Sequence, residues 1–280
     1  MFTQSRQGLR AILNSDACIS PASVFDPISM RLAQDLGFML AMFAGSTASL
    51  AIHGAPDIVL ITLTEFADLA GRITRAGDLP LLVDADHGYG NALNAQRCVL
   101  ELKRAGIAGM TLEDTDLPTP FSTNKPRLLS HEEGLGKIRA ALATKRDPNM
   151  VIVGRTSALN IAGLDEAVAR GKLYSAAGVD ALFFTGVEEL APLQAIRAVT
   201  NLPIILGGTK IKDVAALAAL GVRIALRGHQ PIQAAIQAVY ETMKAQKDGT
   251  DLPKLASPAL LAQVTREADY KAAAAAYLGG

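Results

Sequence analysis

The sequence predicts an α/β chain folded as a (β/α)8 barrel of the TIM type, with a helical extension at its C-terminus. Apolar runs with strand character recur eight times, at residues 18–24, 38–45, 79–86, 109–113, 150–155, 180–185, 203–208 and 223–228. Stretches of helical period separate and follow them, at 27–34, 63–76, 92–105, 131–145, 165–177, 190–200, 211–220 and 231–244. Several of these end in an Ala-Gly or Leu-Gly step, at Gly106, Gly178 and Gly221, where glycine supplies a left-handed cap before the next strand. A doubly wound open sheet has the same alternation. No Gly-x-Gly-x-x-Gly opens the first helix, which weakens the dinucleotide-binding form of that rival.

The 280 residues divide into a catalytic barrel over 1–246 and a linker with a last helix over 247–280. That helix, 259–278, has an apolar stripe and no evident partner in its own chain, so it either packs on a neighbouring subunit or frays. Hydrophobic residues make up 50% of the chain, enough for a large core. Lys plus Arg (27) balance Asp plus Glu (27), and with no basic run nucleic acid is a poor partner. No apolar stretch is long enough to span a membrane, and no signal-peptide pattern opens the chain, so the expectation is a cytoplasmic protein. Cys18 and Cys98 form no metal or redox motif.

The third apolar run ends in Asp84 and Asp86, followed by a His and a Gly-x-Gly turn. Two positions apart on an extended chain, both carboxylates point to one side. Such a pair at the end of a buried strand needs a cation or donors, and Mg²⁺, which takes oxygen ligands and keeps several waters, is the simplest compensation. Barrel chemistry gathers where the strands end. Strand two ends in Gly45, Ser46 and Thr47, small residues whose hydroxyls and amides can hold a carboxylate. Strand four ends in Glu113 and Asp114. Strand five ends in Arg155, whose partner is either an anionic ligand or a salt bridge to Glu113 or Asp114. Strand eight ends in His229. A metal, an arginine, small hydroxyl residues and a histidine at one mouth suit a small dianionic α-keto acid. The chemistry would be cleavage of a carbon–carbon or carbon–phosphorus bond beside the ketone.

The segment 83–91, with Asp84-Ala85-Asp86-His87-Gly88-Tyr89-Gly90-Asn91, followed by Leu112-Glu113-Asp114, resembles the isocitrate lyase/phosphoenolpyruvate mutase superfamily. Ala22 to Pro27, Gly45-Ser46, Asp57, Glu132-Glu133-Gly134 with Lys137-Ile138, and Arg155-Thr156 extend the likeness over most of the chain. Within the superfamily the run from Asp84 to Asn94 and the pair Gly228-His229 look most like the oxaloacetate decarboxylases. The resemblance implies Mg²⁺, with Mn²⁺ as the substitute, bound at Asp84, with Asp86, Asp57 and Glu113 holding its waters. It implies Ser46 and its neighbours, Thr47 among them, on the substrate carboxylate, and Arg155 on the dianion. His229 would contact the far carboxylate and assist protonation of the enolate. It also implies a homodimer or homotetramer, commonly with the last barrel helix exchanged between subunits.

The expected reaction is Mg²⁺-dependent decarboxylation of oxaloacetate, or a close β-keto acid, to pyruvate and CO2. The superfamily's lyases of hydroxy-tricarboxylates use a cysteine acid after strand four; residues 115–126 here contain none. Phosphonopyruvate chemistry, where Asn124 and Lys125 would matter, and cleavage of a substituted malate are the alternatives, and a non-catalytic barrel is a further one. Lys210, after strand seven, has no assigned role.

Overall fold

The computed structural model describes residues 2–279 apart from Asn124. Eight parallel strands follow one another around a single sheet: β1 (Ala22–Ser23), β2 (Ala41–Ala44), β3 (Leu81–Asp84), β4 (Gly109–Glu113), β5 (Val151–Thr156), β6 (Ala181–Thr185), β7 (Ile204–Gly207) and β8 (Val222–Leu226). A parallel bridge between Ile19 and Ile224 joins the first strand segment to the last, so the sheet closes as a barrel. The strand predicted over 18–24 is cut to two residues because Pro21 has no N–H to give the ladder.

Helix α1 (Thr3–Leu13) precedes the strands. Helices α2 (Pro27–Asp35), α3 (Gly45–Ala48), α4 (Leu63–Thr74), α5 (Ala92–Arg104) and α6 (His131–Thr144) occupy the first half of the barrel. Helices α7 (Ala158–Ile161), α8 (Leu164–Ala177), α9 (Leu190–Arg197), α10 (Val214–Ala219) and α11 (Gln230–Asp248) belong to the second. Helices α12 (Pro258–Thr265) and α13 (Glu267–Tyr277) form the C-terminal extension. Thr62, Asn91 and Ser130 each place a side-chain oxygen on a free amide where α4, α5 and α6 begin.

Strand alternation sorts the apolar residues into two cores. Phe43, Leu81, Val83, Met110, Leu112, Ile152, Leu182 and Leu206 face outward and meet the helices. Met42, Leu82, Val151, Val153, Phe183, Ile205 and Ile224 face inward and fill the barrel. Leu9, Ile12 and Leu13 of α1 join that inner cluster and close the N-terminal end of the barrel. The sequence reading assigned no helix there, because Arg6 and Arg10 interrupt the apolar pattern. Both guanidiniums are taken up by partners far along the chain: Arg6 bonds the Ile107 carbonyl (3.1 Å) and Asp147 (2.5 Å), and Arg10 bonds Asp180 (2.9 Å).

The C-terminal extension departs from the single helix expected over 259–278. The chain breaks at Arg266, with φ of 60°, and the arginine grips both oxygens of Asp35 on α2 at 2.7 Å. Val264 of α12 is buried, and Arg31 donates to its carbonyl, so this chain covers α12 itself. Helix α13 buries none of its residues. Helix α11 buries only Ile232 and Ala245, while Ile236, Val239, Tyr240 and Met243, on one face at helical spacing, are each more than half exposed. Among the described residues no helix is long and apolar enough to cross a membrane.

Candidate active site at the barrel mouth

The inward parity that fills the barrel also aims its last inward positions at the mouth. Asp84 lies beside Ala44 on one side and Thr111 on the other, Glu113 lies beside Arg155, and Arg155 lies beside Phe183. Asp84, Glu113, Arg155 and Phe183 therefore stand on one face of four adjacent strands. They line a cavity of about 420 Å³ with Ser23, Ser46, Asp57, Asp86, Leu117, Thr119, Arg227 and His229.

Arg155 is the hub. One of its terminal nitrogens donates to Asp84 Oδ2, and the other lies 3.2 Å from Glu113 Oε2. Its guanidinium carbon stands 5.4 Å from the centre of the Phe183 ring, within cation–π range. Thr111 donates to Asp84 Oδ1 at 2.7 Å, and Thr115 donates to Glu113 at 3.2 Å. Of the two partners sequence allowed for Arg155, Glu113 is taken. Asp114 faces the other way and accepts from Arg170 (2.9 Å) and Tyr174 (2.6 Å) behind the strand.

Asp86 lies beyond the end of β3 at a φ of 46°, so a left-handed turn brings it to the mouth rather than strand alternation. Its Oδ2 is buried without a hydrogen-bond partner. A methyl at Gly45 would lie 2.1 Å from that same oxygen, so glycine is required there for the carboxylate to fit. Burial, then the charges of Asp84 and Glu113, push the Asp86 carboxyl well above the ordinary carboxylate range. Burial raises Glu113 too, with Arg155 opposing and Asp84 adding to the rise. Asp57 comes from the exposed loop before α4; desolvation of its carboxyl and the charge of Asp84 raise it. His229 accepts from or donates to Ser23 Oγ through Nδ1 at 2.8 Å, and burial lowers its pKa against the opposing pull of Asp84 and Asp57. His87 is buried behind the mouth and pushed down to about 4, by burial first and Lys137 second.

Ser46 lines the cavity, but Thr47 does not. Its side chain is buried, and its hydroxyl donates to the Ala44 carbonyl (2.8 Å) and accepts from the Ala44 amide (3.2 Å). The turn that opens α3 uses the Thr47 hydroxyl, so of the two residues expected on the substrate carboxylate Ser46 is the one that reaches the cavity. Lys210 is at the surface, paired with Glu188 at 2.5 Å. Lys125 is exposed and outside the cavity lining, and Asn124 lies outside the described residues. Thr111, Phe183 and Ser23 escaped the sequence reading. Thr111 is two residues before Glu113 on the same strand, a same-face spacing that could have found it.

Among the described residues no three His, Cys, Asp or Glu side chains converge to hold a metal by themselves. The partnerless oxygen of Asp86 and the mutual repulsion of the carboxylates still fit a hard cation held by few protein oxygens and several waters.

Residues 9–247 match the family model described as phosphoenolpyruvate phosphomutase. The chain is 58% identical to an oxaloacetate decarboxylase of Rhodopseudomonas palustris (strain BisB18), over 98% of this chain and 97% of that one. It is 54% identical to an oxaloacetate decarboxylase of Bradyrhizobium sp. (strain ORS 278), over 99% and 98%. Its fold is similar to an oxaloacetate acetylhydrolase in complex with the inhibitor 3,3-difluorooxalacetate (TM-score 0.88, 28% identity, 99% and 98% covered). It is also similar to a phosphonopyruvate hydrolase in complex with oxalate and Mg²⁺ (TM-score 0.85, 28% identity, 98% and 99% covered).

The raised Asp86 carboxyl has a measurable consequence. A group whose folded pKa exceeds its unfolded value of about 3.9 costs stability as pH rises from there through the folded pKa. Asp86→Asn removes that cost. With chelator present, the gain in melting temperature of Asp86→Asn over the parent is expected to grow as pH rises above about 4, the ordinary carboxylate value, and to level off once the folded carboxyl has ionised. A gain that is flat or shrinks with pH contradicts the assignment.

Proposed function

The chain belongs to the phosphoenolpyruvate phosphomutase family, and from that premise we propose that it decarboxylates oxaloacetate to pyruvate and CO2 with Mg²⁺, for which Mn²⁺ can substitute. The observation that carries this reading is the mouth's charge layout: the Arg155 fork beside a carboxylate cluster with an unpaired oxygen. Such a layout offers a cation site and an anion site side by side, in a cavity sized for a small keto diacid. The names of the relatives at 54–58% identity point the same way, toward a carboxy-lyase rather than a non-catalytic barrel.

In this reading Asp84, Asp86, Asp57 and Glu113 would together hold the metal and its waters. When bound, the ion supplies a Lewis acid that stabilises negative charge on the keto oxygen. The Ser46 hydroxyl and neighbouring amides orient the carboxylate beside the ketone. Arg155, fixed by Asp84, Glu113 and the Phe183 ring, would offer the dianion the N–H groups that those carboxylates leave over. Phe183, Leu117, Leu226 and Ile58 give the cavity apolar walls that limit water around the developing charge. His229 contacts the far carboxylate and assists delivery of a proton to the enolate carbon after CO2 has left. CO2 departs without a proton, so cleavage needs no acid on the leaving group. That agrees with residues 115–126, which contain no cysteine and add Leu117 and Thr119 to the cavity.

Pyruvate formation tests the reading. The parent with Mg²⁺ is expected to turn over oxaloacetate far above the metal-only blank and to be inactive on phosphonopyruvate. EDTA, Asp84→Ala and Arg155→Lys are each expected to lower the rate by about 10²-fold or more, since lysine keeps the charge but not the fork. Activity retained in both variants would sink the site assignment, and preference for phosphonopyruvate would move the function to carbon–phosphorus chemistry.

The apolar face of α11 fits a homo-oligomer in which another copy of this chain covers it. Light scattering is expected to give a dimer or tetramer that Tyr240→Asp with Met243→Asp dissociates. A parent that is monomeric at micromolar concentration contradicts this.

A further inference from the structure

Resting on the reading of the mouth as an oxaloacetate site, we propose that Ser23 is a positioning residue for His229. It sets the ring so that Nε2–H faces the substrate's second carboxylate, and it thereby makes the mouth selective for the diacid.

The two residues come from opposite sides of the seam where the barrel closes. Ser23 ends β1, and His229 follows β8 after Gly228, whose φ is 86°. The seam is thin: β1 has two residues, and among the described residues its one backbone bridge to β8 runs from Ile19, ahead of β1, to Ile224. Little else fixes the histidine. It starts α11 without a side-chain cap, and that helix leaves most of its length exposed. Among the described residues the 2.8 Å contact with Ser23 is the one hydrogen bond its ring makes.

That contact uses Nδ1 and leaves Nε2 free at the cavity wall. A neutral imidazole carries its proton on one nitrogen, and a serine hydroxyl can serve either tautomer. The surroundings select between them. Asp84 and Asp57 both favour a proton on this ring, and the second carboxylate of a bound diacid would place negative charge in front of Nε2. A lone pair on Nε2 facing that field is repelled, whereas an N–H is attracted. The Ser23 hydroxyl has no other acceptor among the described residues, so its proton is available for Nδ1. With Ser23 donating to Nδ1, the ring presents a donor to an anion at the far end of the cavity from Arg155. A ligand with a single carboxylate group beside its ketone gains nothing from that donor. Ser20 and Arg227 make a second cross-seam bond at 3.0 Å, so losing the Ser23 hydroxyl frees the ring without opening the seam.

The experiment compares Ser23→Ala and Ser23→Thr with the parent, as full chains with Mg²⁺, using oxaloacetate as substrate and oxalate as the competing ligand. Oxalate spans only the metal and Arg155 end. Ser23→Ala is expected to raise KM for oxaloacetate about tenfold and to change kcat less than about threefold, the size of one lost charge-assisted hydrogen bond. Oxalate inhibition is expected to stay unchanged, and Ser23→Thr, which keeps the hydroxyl, to restore KM. An unchanged KM in Ser23→Ala, an equal weakening of oxalate, or no recovery in Ser23→Thr overturns the proposal. A parent without turnover above the blank removes the decarboxylase reading alone. Ser23 is then decided by calorimetric titration of oxaloacetate and oxalate into the same three chains. The same selective loss is expected there, and equal affinities overturn it.

Discussion

The structure depends on one electrostatic constraint: four carboxylates, Asp57, Asp84, Asp86 and Glu113, face the same cavity. Like charges in a half-dry space repel strongly, and the fold answers in two ways. Arg155 spans Asp84 and Glu113, and Thr111 and Thr115 supply neutral donors. Asp86 gets neither, and its carboxyl is pushed well up as a result. A buried group left in that condition costs stability. Gly45 leaves room for it where any side chain would collide. A cluster that costs stability and is nonetheless given space is a candidate ligand site.

The rest of the barrel keeps that cluster in register. Strand parity turns Leu82, Val153 and Phe183 into the inner core and turns the next inward residues, Asp84 and Arg155, into the mouth. Helix α1 seals the opposite end with Leu9, Ile12 and Leu13, so the interior is a packed apolar core and the charged residues gather at the mouth. Behind β4, Asp114 is fixed by Arg170 and Tyr174, which holds its neighbour Glu113 on the cavity side. The charged site thus rests on rigid strands, while Asp57 and His229 reach it from a loop and from the start of a helix.

Much of this was legible in the sequence because a charge at the end of an apolar run stands out. Asp84, Glu113 and Arg155 were found that way, and strand order followed from alternation with helices. Asp57 had no local signal and came from the family resemblance, since its loop has no periodicity. Helix α1 was hidden by two arginines that satisfy backbone carbonyls and distant carboxylates, partners no local pattern displays. The break at Arg266 was hidden for the same reason, as Asp35 lies 231 residues away in sequence. Thr47 shows the reverse: a hydroxyl next to Ser46 is committed to its own turn, which the sequence does not display. Ser23 and Phe183 matter through what they touch across strands, and contact is the one property a single sequence does not display.

The most direct measurement is diffraction at the manganese edge from crystals grown with Mn²⁺ and oxalate, an inert mimic of the pyruvate enolate. An anomalous peak is expected at the Asp84 carboxylate, with Asp86, Asp57 and Glu113 around it and Arg155 on the oxalate. A peak elsewhere in the barrel, or a mouth that binds oxalate with no metal at Asp84, would contradict it.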